Sequence, residues 1–385
     1  MVLSRSLAVA TNAADQPDWP HIGLNVKING KPAQFIFDTG AGGLLITREA
    51  AGRLGLKVID PPSTFRPPPG LLAVGWTEKC RLTIWDTSVK TRLEWGELPK
   101  GVNLEFDGTI GWPSVNNRIF SMDAATRSMI FLDRIPKEAA SWTKLRVQPN
   151  SSLLNLEIPG TEGKTAVIFL DTGDTFGLTL NPQKWMEWKT AHTNQPMTLE
   201  AGYTGPLGFF AAEEAWVHEI TLGPFKLTEA PVQGIYFPKQ SLVSESRAKP
   251  TYTLGLAAIS RLDIIIDGKH NLAYLRPKIA PSLPYVYNRL GAGFIPLDLK
   301  SDNLVACVID GSPAYKAGIR NGDILLKIDE DDVTKWRTSG KPSFPFRKQP
   351  AGTKLQLTLK RADKIITATA VLQNILVPEA TKPPN

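Results

Sequence analysis

The sequence predicts a mainly β protein built from two similar lobes and followed by a smaller domain of mixed α and β structure. Three observations support this prediction. An Asp-Thr-Gly triplet occurs twice, the motifs around each copy follow in the same order, and the pattern changes after a proline-rich stretch at 277–284. A chain of 385 residues, 42% hydrophobic and 21% charged, is ordinary for a globular protein of two or three domains.

Each Asp-Thr-Gly triplet lies at the end of a short apolar run. The first triplet, at 38–40, follows the run at 35–37, and the second, at 171–173, follows the run at 166–170. Such runs are typical of buried strands. Two aspartates placed in this way point to one chemistry, in which a pair of carboxylates shares a proton.

The repetition extends on both sides of the triplets. Upstream, 24–30 and 154–160 both alternate apolar and polar residues and stop at a glycine. Downstream, Gly111 lies 12 positions before Asp123, and the same spacing separates the equivalent Gly255 and Asp267. The shared order predicts one lobe over 20–148 and a second over 149–277.

Helices and hairpins are expected at matching places in both lobes. A short helix is predicted over 48–56, ending at Gly55, and its counterpart over 182–191, with Trp185 and Trp188 as packing residues. A first hairpin is predicted over 71–85, and a second opens at 202–205 and runs to Val217.

Composition excludes several classes of protein. The formal charge of +7 is not concentrated in a basic stripe, and no nucleic-acid-binding module is found, so we expect no nucleic-acid partner. No stretch approaches the roughly 18 apolar residues of a membrane span. Cys80 and Cys307 fall in different predicted domains and are expected to be free thiols. Residues 1–19 are expected to form a loose arm, with an apolar run too short for a signal peptide.

The order of motifs over 20–277 resembles that of the pepsin and retropepsin clan of aspartic proteases: strand, Asp-Thr-Gly loop, flap hairpin, then two apolar residues and Gly. The resemblance implies two acid-protease β-barrel lobes in one chain, so that a monomer can hold a complete site. It implies Asp38 and Asp171 as the catalytic pair, hydrolysing peptide bonds through an activated water with no metal or cofactor.

The neighbouring positions receive supporting roles from the same resemblance. Thr39 and Thr172 would hydrogen-bond across the lobe junction and fix the two loops. Gly40 and Gly173 would let the backbone turn tightly beneath each carboxylate.

Two departures from the family pattern stand out. The position after the glycine is normally Ser, Thr or Ala; Ala41 fits, but Asp174 does not, and a third carboxylate would raise the pKa values of the pair. Pepsin-like enzymes carry a tyrosine on the first flap, where this chain offers Trp76, while Tyr203 lies in the second lobe. An active endopeptidase and a catalytically silent, peptide-binding homologue are therefore both open.

The region 285–377 resembles a PDZ domain of the kind attached to bacterial proteases. Its Gly-Ser-Pro-Ala turn at 311–314 starts a helix that Gly318 ends, and an alternating stretch at 355–359 is expected to be the final strand. The helix that lines a PDZ groove should follow Val333, but the sequence breaks helical periodicity soon after it. The resemblance implies capture of a peptide carboxylate by the backbone N–H groups of Gly291, Ala292, Gly293 and Phe294.

The expected partners follow from these resemblances. They are a peptide or protein substrate for the paired lobes and a C-terminal peptide ligand for the PDZ domain. Residues 278–284 would form a linker and 378–385 a tail. By resemblance, export to the periplasm or cell envelope is favoured.

Overall fold

The computed structural model describes residues 8–9, 21–84, 87–102, 104–160, 163–237, 250–278, 285–339, 344 and 346–376. The predictions of a linker over 278–284 and a tail over 378–385 therefore fall, apart from residue 278, outside the described residues. Of the expected arm at 1–19, residues 8–9 form a two-residue strand, β1 (Ala8–Val9), which pairs with residues 129–130.

Strands make up most of the regular secondary structure in the first half of the chain. Its helices are α1 (Arg48–Leu54) and two 3-10 turns, Trp112–Ser114 and Lys137–Ser141. Its strands are β2 (Gly23–Ile28), β3 (Lys31–Asp38), β4 (Leu44–Thr47), β5 (Val58–Ile59), β6 (Ala73–Thr77), β7 (Cys80–Ile84), β8 (Thr87–Thr91), β9 (Glu94–Glu97), β10 (Gly108–Gly111), β11 (Ile119–Asp123), β12 (Ser128–Leu132) and β13 (Thr143–Val147).

The second half has longer strands in a similar order. Its helices are α2 (Pro182–Ala191) and α3 (Leu256–Ile259). Its strands are β14 (Asn155–Pro159), β15 (Thr165–Leu170), β16 (Leu178–Leu180), β17 (Met197–Thr204), β18 (Gly208–Leu222), β19 (Phe225–Phe237), β20 (Tyr252–Leu254), β21 (Leu262–Asp267) and β22 (Leu272–Pro277).

Strand pairing repeats between the halves around each Asp-Thr-Gly loop. In the first half β3 lies between antiparallel β2 and parallel β10, with Ile36 opposite Thr109. In the second half β15 lies between antiparallel β14 and parallel β20, with Phe169 opposite Thr253. Each aspartate follows its paired residue by two positions, so the two loops leave equivalent sheets at equivalent places.

A shared sheet joins the two halves. The hairpins β11–β12 and β21–β22 lie side by side, because β11 pairs with β21 with Ile119 opposite Asp267. One apolar core runs through both halves, and Phe120 of β11 packs edge-on against Phe37, one residue before the first aspartate. The second loop thus leaves this shared sheet, and the first loop leaves a separate sheet that packs on the same core.

The short helices form where they were predicted. Thr47 caps the start of α1 by accepting from Ala50 N, and Gly55 ends it with a left-handed φ of 74°. In α2 the rings of Trp185 and Trp188 are buried and stacked 5.1 Å apart. α1 packs against β4 and β9, and α2 packs against β16 and β19.

The C-terminal region forms its own small sheet and core. Its helices are single turns, α4 (Pro313–Lys316) and α5 (Trp336–Ser339). Its strands are β23 (Ala292–Ile295), β24 (Leu304–Val308), β25 (Ile324–Ile328), β26 (Asp331–Asp332), β27 (Lys354–Arg361) and β28 (Lys364–Val371). The prediction that 355–359 is the final strand is wrong, because β28 pairs with β27 along its whole length.

Both cysteines, Cys80 and Cys307, are buried free thiols, as predicted. Within the described ranges, none of the helices is long and apolar enough to cross a membrane.

Candidate active site

The first loop presents Asp38 from the end of β3. The strand buries Phe35 and Phe37 completely, which anchors the backbone on an apolar floor. The chain then turns, and Gly40 N donates to Asp38 Oδ1 at 2.8 Å. This hydrogen bond orients the carboxylate, because it leaves few rotamers open to the side chain.

The second loop presents Asp171 in the same way from the end of β15. Gly173 N donates to Asp171 Oδ1 at 3.0 Å, and Asp174 N donates to the same oxygen at 3.2 Å. The repeated strand pairing thus places Asp38 and Asp171 at equivalent positions in the two halves.

Each loop's glycine lies directly against the opposite carboxylate. A Cβ added to Gly40 would lie 2.4 Å from Asp171 Oδ1, and one added to Gly173 would lie 2.5 Å from Asp38 Oδ1. Neither glycine has a left-handed φ, so the sequence-based reason, a tight turn, is not the decisive one. The glycines are needed because any side chain would push the carboxylates apart.

The two threonines link the loops reciprocally. Thr39 N donates to Thr172 Oγ1 at 2.9 Å, and Thr172 N donates to Thr39 Oγ1 at 3.0 Å. Each hydroxyl then donates across the junction, Thr39 to Leu170 O at 2.6 Å and Thr172 to Phe37 O at 2.8 Å. Both threonines are fully buried, so these bonds hold the loops without competition from water.

Asp38 and Asp171 both lie at the junction of the two loops, each against the glycine of the other loop. Burial raises the pKa of Asp38 well above its usual range, and the neighbouring charge of Asp171 raises it further. Burial also raises the pKa of Asp171, against the opposing effect of the hydrogen bond from Gly173 N. Such a pair holds one proton between its members over a wide range of pH.

Asp174 lies beside the pair and forms a local turn. Its Oδ1 accepts from Phe176 N at 2.9 Å, so the carboxylate caps the backbone that follows. Burial, and then the charge of Asp171, raise the pKa of Asp174 to about 7. Below that pH the third carboxyl is neutral and adds no charge to the pair.

The predicted first hairpin over 71–85 does not form. β6 pairs with β5 and β9, whereas β7 pairs with β2 and β8, so the two strands belong to different parts of the sheet. The hairpin that carries Trp76 is instead β5–β6, with Ile59 opposite Trp76 and the proline-rich segment 60–72 as its tip. Trp76 is half-buried on this hairpin, with its ring 6.2 Å from that of Phe65.

The predicted second hairpin does form, as β17–β18, with a tip at 205–207. This tip contacts the first lobe, because Gly70 N donates to Gly205 O at 2.9 Å and Tyr203 donates from its hydroxyl to Gly70 O at 2.5 Å. Lower on the hairpin, the ring of Phe210 lies 6.0 Å from that of Phe176, in the loop after Asp171. The hairpin therefore spans from the second loop to the first lobe.

Two residues near the loops gave no signal in the sequence. His21 Nε2 lies 3.2 Å from Gly173 O, and burial lowers the pKa of this imidazole. Gly70 meets the tip of the second hairpin so closely that an added Cβ would lie 2.3 Å from Thr204 O. A lone histidine before the first strand and a glycine after three prolines are both too common to stand out.

The proposed peptide-binding segment of the PDZ region is covered by the second lobe. Gly291, Ala292, Gly293 and Phe294 are all buried, and the β17–β18 hairpin of the second lobe lies against β23. Of the groove helix expected after Val333, the described residues contain the turn α5. The ring of Phe346 lies 5.8 Å from that of Phe294.

Among the described residues, no group of three or more His, Cys, Asp or Glu side chains is arranged to hold a metal ion.

Comparison with known proteins agrees with this arrangement. The family model for aspartyl proteases matches residues 24–66, which include the first Asp-Thr-Gly loop. The family model for PDZ domains matches residues 304–339. No curated protein matches the chain. The chain thus combines an aspartyl protease-like region with a C-terminal PDZ domain.

Proposed function

We propose that the protein is an aspartic endopeptidase whose catalytic pair is Asp38 and Asp171. The observation that carries the proposal is the way the two loops meet: the glycine of each loop lies against the carboxylate of the other, and reciprocal threonine bonds hold the loops together. Both loops come from one chain, so a monomer can hold the complete site.

The chemistry follows from the shared proton. The ionised carboxylate accepts a proton from a water molecule, which attacks the carbonyl carbon of the scissile peptide bond. The protonated carboxyl donates to the carbonyl oxygen, and the resulting tetrahedral species collapses as the amine leaves with a proton. The low-dielectric floor under the loops strengthens these interactions, and the threonine bonds keep the two groups aligned.

The carboxyl of Asp174 sets the pH range over which this can work. While it is neutral, the proposed pair carries one negative charge. When it ionises near pH 7, a second charge lies beside Asp171 and opposes loss of the shared proton. Activity is therefore expected to extend toward neutral pH.

The proposal is tested by cleavage of a peptide library between pH 3 and 8, with and without a pepstatin-type inhibitor. Asp38→Asn and Asp171→Asn should each lower kcat/KM by about a thousandfold or more, because an amide cannot exchange the proton. The matched control is Asp331→Asn, an exposed aspartate on β26 of the PDZ domain, which should cleave like the parent.

Circular dichroism establishes that each variant is folded. Folded Asp38→Asn that cleaves as fast as the parent would show that the pair is wrongly assigned. A folded parent that cleaves no peptide at any pH would instead make the chain a silent, peptide-binding homologue. We do not favour that alternative, because both loops retain the carboxyl group and the glycine.

Peptide binding by the PDZ domain is the second part of the proposal. The domain would present or regulate substrates by adding a peptide strand to the edge of β23. Because that strand is buried against the second lobe, such binding requires that the lobe and the domain first separate.

A further inference from the structure

The PDZ domain packs against one element of the second lobe, the β17–β18 hairpin. β17 is the terminal strand of the sheet that joins the two halves, and among the described residues no strand pairs with its outer edge. Exposed edges of this kind attract unwanted pairing, and proteins commonly cover them. Here the PDZ domain supplies the cover.

The apolar part of the contact is a small buried cluster. Leu199 and Ala211 from the hairpin pack with Ile295 and Cys307 from the PDZ sheet, all less than a tenth exposed. This cluster is separate from the core of either part. It exists only while the two parts are together.

The polar part is an ion pair with a surrounding network. Glu200 is only 2% exposed, and its Oε2 accepts from Arg347 Nη1 of the PDZ domain at 2.9 Å. Asn288 N donates to Glu200 Oε1 at 2.6 Å, and Asn288 Nδ2 donates to Leu199 O at 2.7 Å. Thr198 Oγ1 donates to Asn288 O at 2.6 Å. Asn288 of the PDZ domain thus hydrogen-bonds to three consecutive residues of β17, at Thr198, Leu199 and Glu200.

Near its tip the hairpin reaches both the PDZ helix and the first lobe. The ring of Phe209 lies edge-on to Trp336 of α5 at 5.9 Å and 5.2 Å from the ring of Tyr203. The Tyr203 hydroxyl in turn donates to Gly70 O of the first lobe. A continuous set of contacts therefore runs from α5 through Phe209 and Tyr203 to Gly70.

We propose that the β17–β18 hairpin is the intramolecular partner of the PDZ domain, and that this contact holds the hairpin in its bridge between the two lobes. The PDZ domain then acts as a brace rather than as a separate module on a linker. Anything that draws the domain away from β17 also releases Tyr203 and Gly205 from Gly70. The claim concerns the fold and stands whether or not the chain cleaves peptides.

Amide hydrogen exchange of the whole 385-residue chain tests the proposal. The interface variant is Glu200→Gln with Arg347→Met, which removes both charges of the ion pair together. The matched control is Asp323→Asn with Arg361→Met, a pair within the PDZ domain whose carboxylate is 1% exposed. Both variants remove one arginine–carboxylate pair of the same chemistry.

The interface variant should exchange amides of residues 197–222 about tenfold faster than the parent, or more, and the control should not. The Gly70 amide reports the bridge, because its hydrogen bond to Gly205 O closes only when the tip is in place. Its exchange should rise together with that of the hairpin. Phe209→Ala provides a second interface variant if the first does not fold.

Unchanged exchange over 197–222 in a folded interface variant overturns the brace. An equal rise in the control overturns it too, because the effect then follows from PDZ stability alone. A hairpin that loosens while Gly70 stays protected overturns the coupling to the first lobe.

Discussion

The reciprocal threonine bonds predict how firmly the two loops are tied. Thr172→Val keeps the shape of the side chain but removes the hydroxyl, which accepts from Thr39 N and donates to Phe37 O. Both bonds are buried, and a lost buried bond of this kind costs about 1–2 kcal/mol. The free energy of unfolding of the protease lobes should therefore fall by about 2–4 kcal/mol.

Thr39→Val should cost a similar amount, because the Thr39 hydroxyl makes the equivalent pair of bonds to Thr172 N and Leu170 O. The matched control is Thr367→Val, an exposed threonine on β28, which should change stability by less than about 0.5 kcal/mol. Urea unfolding followed by tryptophan fluorescence and far-ultraviolet circular dichroism measures all three variants.

A loss below about 0.5 kcal/mol for Thr172→Val would refute the reasoning, since it would mean that the buried groups find other partners at no cost. A large loss for one threonine and none for the other would refute the symmetry of the junction. Either result would also weaken the case that these bonds align the two carboxyl groups.

Two further predictions concern the glycine and the third carboxyl. Gly40→Ala should lower kcat/KM about a hundredfold or more, because the added Cβ would lie 2.4 Å from Asp171 Oδ1. The control is Gly52→Ala, in α1 with open space around it, which should keep full activity. Equal activities of the two variants would contradict this prediction. The raised pKa of Asp174, about 7, means that its stabilising contribution is complete below pH 4 and is lost as pH rises toward 7. Asp174→Asn keeps an acceptor for Phe176 N and should be more stable than the parent at pH 8 by up to about 4 kcal/mol; identical pH dependence of urea unfolding would contradict this.

Local patterns in the sequence were sufficient for much of the fold. The alternating strands, the helix that ends at Gly55 and the helix over 182–191 each depend on residues within a few positions of one another. The two Asp-Thr-Gly triplets and their matching spacings predicted the repeat, because one folding unit used twice places its motifs at equal intervals.

The hairpin of the first lobe was missed for a physical reason. The expected hairpin at 71–85 has a strand-like composition, but strand partners are chosen by the whole sheet rather than by adjacent segments. β6 finds β5 across a proline-rich tip and finds β9 on its other side. The alternation of apolar and polar residues over 73–84 does not indicate that β6 pairs with β5 and β9 rather than with β7.

The sequence by itself determined which residues carry the proposed chemistry, and only the tertiary structure decided how close they come. The triplets identify Asp38 and Asp171, but their contact depends on threonines 133 positions apart and on glycines that leave room for the opposite carboxylate. The grip of the PDZ domain on β17 likewise joins residues such as Glu200 and Arg347, 147 positions apart. Such contacts form only when the sheets and lobes pack together, and the local alternation of apolar and polar residues does not determine how they pack.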